Sequence, residues 1–122
     1  MTFQSFELVV PIPPTLNKAY PTNFVQKRRH SSKVVIEYKK IIRSLLLAKK
    51  YNTFMSSIEL WLHFTFPDNR RRDLSNHIKV LEDCLVANKV IQDDYLVDLL
   101  IVSRLKPSKN NPHVQVIVYG EY

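Results

Sequence analysis

Apolar and polar residues alternate along residues 3–10, with Phe6, Leu8 and Val10 on one face, which predicts a strand ended by Pro11, Pro13 and Pro14. A polar stretch follows to about residue 31, carrying Lys27, Arg28, Arg29 and His30, and a loop of that length in a small domain is a candidate for partner contact. From a cap at Ser31 or Ser32, Val34, Tyr38, Ile41, Ile42 and Leu45 recur at helical spacing and predict a helix to about Lys50. On its other side Lys39, Arg43 and Lys50 fall together, with Lys33 and Lys40 nearby, as a basic stripe. Asn52 interrupts the helix, and residues 58–66 alternate cleanly. Ile58, Leu60, Leu62, Phe64 and Phe66 point one way, and Glu59, Trp61, His63 and Thr65 the other, as in a half-buried strand.

Pro67, Asp68 and Asn69 turn the chain into Arg70, Arg71, Arg72 and Asp73. Leu74, Ile78, Leu81 and Leu85 then mark a second amphipathic helix, with Asn76, Lys79 and Asp83 on its polar face and Asn88 at its exit. Residues 96–105 form a continuous apolar run bounded by Pro107. It reads as a buried strand, although periodicity alone leaves a helix open. Val114, Val116 and Val118 mark a last strand. The order strand, helix, strand, helix, strand, strand predicts an α/β domain, a mixed sheet of about four strands with two principal helices packed on it. The 122 residues suffice for one such domain over residues 1–122 with a modest core.

Composition narrows the chemistry. Only Gly120 is a glycine, so a P-loop, a dinucleotide-binding turn and a glycine nucleophile elbow are excluded, and no small-molecule cofactor is expected. The lone Cys84 allows no internal disulfide or multi-cysteine zinc site, which fits a reducing, cytosolic setting. Residues 1–11 lack the pattern of a signal peptide, and no apolar run is long enough for a membrane helix, so no membrane partner is expected.

The net charge of +7 lies entirely in residues 1–66, where ten Lys and Arg face Glu7, Glu37 and Glu59. Residues 67–122 hold eight of each sign. The basic half suggests a polyanion such as nucleic acid, held by Lys27, Arg28, Arg29, Lys39 and Arg43. Seven of the eleven acids lie between Asp68 and Asp98, and acids beside a polyanion make sense when a cation mediates. If Asp73 and Asp94 meet in the fold, two carboxylates make a hard oxygen site suited to Mg²⁺, against which arginines would hold a phosphate. Each residue also has a plain structural role: Asp73 as a helix cap, Asp93 and Asp94 as a polar turn, and Lys79 as a solvated lysine. Trp61, Phe64 and Phe66 are expected as core aromatics. His30, His63, His77 and His113 show no metal-ligand spacing.

Residues 67–97, PDNRRRDLSNHIKVLEDCLVANKVIQDDYLV, resemble the central motif of the RusA-type Holliday junction resolvases: arginines, Asp-x-Asp-Asn, a lysine three residues on, and Asp-Asp before a strand. Residues 10–20, VPIPPTLNKAY, resemble that family's Pro-Pro-Ser-x-Asn-x-x-Tyr segment. The resemblance implies a cytoplasmic, bacterial or phage-encoded endodeoxyribonuclease, an intertwined homodimer that resolves four-way DNA junctions by paired symmetric nicks with Mg²⁺, Mn²⁺ able to substitute. Asp73 matches the first motif aspartate, Asn76 the asparagine, Lys79 the lysine, and Asp93 and Asp94 the final pair. It implies Asp73, Asp94 and Lys79 as catalytic residues, Asp73 and Asp94 as metal ligands with Ser75 or Asp93 beside them, and Arg70, Arg71, Arg72 and Asn76 on the DNA. Ser75 departs from the pattern, standing where the family most often has its second aspartate. A neutral hydroxyl is a poorer Mg²⁺ ligand, which leaves a weakly active or purely junction-binding protein as the alternative.

Overall fold

The computed structural model describes residues 3–15, 22–23, 28–29 and 33–121. Strand β1 (Gln4–Val10) leads through two short paired strands, β2 (Thr22–Asn23) and β3 (Arg28–Arg29), to helix α1 (Lys33–Leu47) and strand β4 (Ile58–Thr65). A 3₁₀ turn (Leu74–His77) runs into helix α2 (Ile78–Ala87), and a second 3₁₀ turn (Asp94–Leu96) precedes β5 (Val97–Arg104) and β6 (His113–Gly120). The main sheet has the order β1-β6-β4-β5 and is mixed: β6 runs antiparallel to both β1 and β4, whereas β4 and β5 are parallel. Parallel neighbours need a crossover, and α2 supplies it. The expected α/β architecture of four strands and two helices is what the chain adopts.

Binary patterning explains the two layers. Phe6, Leu8 and Val10 of β1, Leu60, Leu62 and Phe64 of β4, and Val114, Val116 and Val118 of β6 are buried in one core with Val35, Tyr38, Ile42 and Leu46 of α1 and Val80, Leu81, Cys84 and Leu85 of α2. The core-facing row of α1 differs from the expected one: Val34, Ile41 and Leu45 are exposed, and Val35 and Leu46 are buried instead. The helix carries apolar residues on two adjoining stripes, so periodicity alone does not say which meets the sheet. It also ends at Leu47, leaving Lys50 outside the stripe of Lys39 and Arg43. Its expected caps, Ser31 and Ser32, lie outside the described residues, as do Lys27 and His30.

Trp61 is half-buried on the other face of the sheet, edge-on to Tyr119 and donating to Glu59 Oε1 at 3.2 Å, so it is not a core residue; Phe64 and Phe66 are. The greater departure is β5. Its apolar run suggested burial on both faces, yet it is a sheet edge with Leu99 41% and Leu100 40% exposed. A strand at an edge has only one neighbour whatever its composition.

Long-range hydrogen bonds fasten the loops that shape the site. The Tyr38 hydroxyl donates to the Pro11 carbonyl (2.8 Å), and burial pushes its pKa up, so it stays a neutral donor. His77 is buried, and its Nδ1 donates to the Pro13 carbonyl at 2.8 Å, docking the proline segment on the first turn after the arginines. The two stretches that carry the sequence resemblance therefore meet at His77, although residues 16–20 of the first lie outside the described residues.

Candidate active site and nucleic-acid surface

The arginine segment is built on a network internal to the loop. Asp68 Oδ1 accepts from the Arg70 backbone N–H at 2.9 Å and pairs with Arg72 Nη1 at 2.8 Å. These contacts hold the Asp68 carboxyl below the usual carboxylate range, the Arg72 hydrogen bond contributing most. Arg72 also lies over the Phe66 ring, 4.7 Å from its centroid, a cation–π arrangement, and Arg104 donates to the Arg72 carbonyl. Arg72 is thus engaged in shaping the loop, whereas Arg70 and Arg71 are exposed.

Asp73 closes this loop as the cap of the 3₁₀ turn. In extended conformation (φ −92°, ψ 114°), its Oδ1 accepts from the Ser75 N–H at 3.2 Å and from the Ser75 hydroxyl at 2.8 Å. The structural role open to Asp73 is therefore filled, and Ser75 donates to the neighbouring carboxylate.

A second network starts on the first turn of α2. Lys79 Nζ sits 3.1 Å from Asp83 Oδ1, one helical turn on, and 3.5 Å from Asp94 Oδ2. The Asp83 contact, with Asp94 adding to it, holds the lysine charged by raising its pKa. Glu82 belongs to the same group: burial, then the Asp94 charge, raises its carboxyl above the ordinary value, against the pull of Lys79. Asp93 is exposed and its side chain makes no capping bond to the 3₁₀ turn.

So the fold brings Lys79 to Asp94 and Ser75 to Asp73. Among the described residues, no group of three or more His, Cys, Asp or Glu is placed to hold a metal ion. The donor chemistry nonetheless fits a hard divalent cation. Asp73, Asp93 and Asp94 present exposed carboxylates, and Mg²⁺ commonly takes one or two of these and completes its shell with waters and phosphate oxygens.

Cations and a cleft mark a second surface. Lys39 and Arg43 of α1 line a cleft of about 490 Å³ closed on the other side by Cys84, Ala87 and Asn88 of α2 and floored by Tyr51, whose hydroxyl donates to the Asn88 carbonyl at 2.8 Å. Burial pushes the Cys84 thiol up to about 11, with Lys39 acting weakly against it, so the thiol is un-ionised at neutral pH. Arg28 and Arg29 form β3, and Asn76 is half-buried in the 3₁₀ turn.

The family model described as Endodeoxyribonuclease RusA matches residues 11–119. The chain belongs to the RusA endodeoxyribonuclease family. A curated relative, the crossover junction endodeoxyribonuclease rusA of Enterobacteria phage HK97, is 30% identical over 105 residues, covering 81% of this chain and 82% of the relative. The matched span takes in both the arginine loop and the Lys79–Asp94 network, so the geometry above is that of a RusA-family domain. No helix among the described residues is long and apolar enough to cross a membrane. Reading the sequence alone missed Glu82. It lies one turn beyond Lys79 on the same side, so its i, i+3 spacing was the available signal.

Proposed function

We propose that this RusA-family chain is a divalent-metal-dependent, structure-selective endodeoxyribonuclease that resolves four-way DNA junctions by paired nicks, with Mg²⁺ as the metal and Mn²⁺ able to substitute. As a family member it is an endonuclease of branched DNA. The observation that carries the reading is the Lys79–Asp94 pair, with Asp83 and Glu82, set on the same crossover as an exposed arginine loop. Carboxylates alone would repel a phosphodiester and arginines alone would only bind it. The two together suit phosphoryl chemistry.

Asp73 and Asp94, with Asp93 and Ser75 beside them, would hold the cation, which when bound supplies a Lewis acid and an activated water. Arg70 and Arg71 bind and orient the backbone phosphates, and Arg72 fixes the loop that presents them. Lys79, kept protonated by Asp83 and Asp94, places a positive charge where the phosphate gains negative charge. Asn76, in the 3₁₀ turn just before the helix, would add an amide contact to the DNA. Lys39 and Arg43, in the cleft between the helices, and Arg28, Arg29 and Lys27 extend the backbone contact. Two symmetric nicks call for two sites related by a two-fold axis, hence a homodimer.

Ser75 favours a second reading, a junction-binding protein with weakened cleavage, because its hydroxyl donates to Asp73 where a carboxylate would add a ligand. Nicking of a synthetic four-way junction across a Mg²⁺ and Mn²⁺ titration separates the two. We expect paired nicks that Asp94→Asn reduces at least a hundredfold while junction binding persists. Ser75→Asp should lower the Mg²⁺ concentration needed for half-maximal rate. Binding without nicking at any metal concentration would establish the second reading, and an Asp94→Asn protein as fast as the parent would overturn the site assignment.

A further inference from the structure

At the C-terminal ends of the parallel strands β4 and β5 lies a separate cleft of about 290 Å³. One wall follows β4 and carries Phe66, Asp68 and Arg70; the other ends β5 and carries Arg104 and Lys106. Open α/β sheets ordinarily take ligands in the crevice outside the carboxyl ends of their strands. Backbone bonds beyond the sheet fix the two walls against each other: Leu105 N–H donates to the Phe64 carbonyl (2.8 Å) and Ser108 N–H to the Phe66 carbonyl (2.9 Å). Charge in the cleft is one-sided. Arg70, Arg104 and Lys106 are exposed, and among the described residues none of them is in an ion pair. The single carboxylate on the walls, Asp68, is already taken by Arg72.

The shape of the cleft selects the anion. The Phe66 ring is buried, stacked on Phe64 at 5.5 Å between centroids and covered by the Arg72 guanidinium, so it offers no face to a nucleobase. Leu105 and Pro107 edge the cleft with aliphatic surface that suits a sugar. The volume stands at the lower end of those that hold small ligands, which fits a phosphate with its deoxyribose and not a whole nucleotide cofactor. We propose that this cleft is a phosphodiester subsite in which Arg104 and Lys106, together with Arg70, hold one backbone phosphate of the bound DNA beside the arginine loop.

The subsite rests on the reading of the chain as a nuclease of branched DNA and adds Arg104 and Lys106 to it. Arg104 is set in place before DNA arrives, because its guanidinium donates to the Arg72 carbonyl and lies 5.8 Å from the Phe66 centroid, which lowers the ordering cost of binding. The Arg72 carbonyl belongs to the peptide that leads into Asp73, so a phosphate seated on Arg104 is registered against the proposed metal ligands. Contacts to phosphate and sugar carry no base information, so the subsite fixes where the strand lies and not which sequence is cut.

Binding of a synthetic four-way junction by the full chain, followed by fluorescence anisotropy in EDTA, reads the subsite with no nicking to interfere. Lys106→Ala should weaken binding alike across junction sequences and lower the slope of log affinity against log salt by about 1, with the circular dichroism spectrum unchanged. Lys109→Ala removes the same charge from the same loop outside the cleft and should leave the slope as it is. Since Lys106 is not bonded to the arginine loop, its loss separates the subsite from any loosening of that loop when Arg104 is changed. A junction with a methylphosphonate at one backbone position, neutral where the phosphate is charged, locates the contact: at that position it should weaken the parent on the order of tenfold and the Arg104→Gln/Lys106→Ala double variant scarcely at all. Losses that add at every position, or a Lys106→Ala slope equal to the parent's, would overturn the subsite even with nicking intact. Binding that depends on the cleft, with no nicking at any Mg²⁺ or Mn²⁺ concentration, would uphold the subsite and overturn the reaction.

Discussion

Asp73 combines two roles that a single substitution to alanine would confuse. Its Oδ1 caps the 3₁₀ turn through Ser75, and its charge belongs to the proposed metal set. Asparagine is also a good cap, so Asp73→Asn should leave thermal stability nearly unchanged, whereas Asp73→Ala should cost about 1 kcal/mol. If both variants lose nicking but only the alanine melts earlier, the charge serves the reaction and the cap serves the fold. Asp73, Lys79 and Asp94 stand out in the sequence because their spacing matches a motif, and the structure adds the contact between Lys79 and Asp94. The sequence did not reveal that Lys79 is shared between Asp83 and Asp94, since the Asp94 contact closes only through the crossover. Glu82 escaped for a related reason: what sets it apart from other surface acids is burial beside Asp94, which no local pattern encodes.

At the scale of elements, both helices and all four main strands follow from apolar periodicity, and the errors lie where two solutions share one pattern. On α1 the stripes through Val34 and Val35 compete, and the sheet selects the second. For β5 an apolar run signalled burial when the strand is an edge, because an uncovered apolar face and a covered one have the same sequence. The end of α2 is sharper than expected. Lys89 N–H bonds the Val86 carbonyl (3.0 Å) and Val90 N–H the Leu85 carbonyl (2.9 Å), the Schellman pair, with Val90 buried. The left-handed residue is Lys89, at φ 59°, not Asn88, whose side-chain amide instead donates to the Cys84 carbonyl. A lysine there bears a Cβ penalty that glycine escapes. Lys89→Gly should therefore stabilise the protein by about 0.5–1 kcal/mol in denaturant unfolding.

For the whole molecule, charge and architecture coincide only in part. The basic excess of residues 1–66 is carried in the described region largely by α1, where Lys39 and Arg43 face a cleft shared with α2, and the acids concentrate on α2 and its return. Junction affinity should fall steeply with salt. Replacing both Lys39 and Arg43 by alanine should weaken binding similarly across junction sequences and reduce the slope of log affinity against log salt by about 2, one per phosphate contact, in fluorescence-anisotropy titrations. An unchanged slope would remove the cleft from the DNA-binding surface.

The placing of β6 also governs when this nuclease can exist during synthesis. β6 comes last among the four strands of the main sheet, yet it lies inside that sheet, zipped on one side to β1 and on the other to β4. Until Gly120 has emerged from the ribosome, β1 has no neighbour in the main sheet and the β4–α2–β5 crossover has no third strand to hold it. The arginine loop and its acids are therefore made early but gain their fixed arrangement only at the end of the domain's synthesis. If the proposed site is the cutting centre, a nascent chain would not yet have it assembled near the nucleic acid of its own expression machinery.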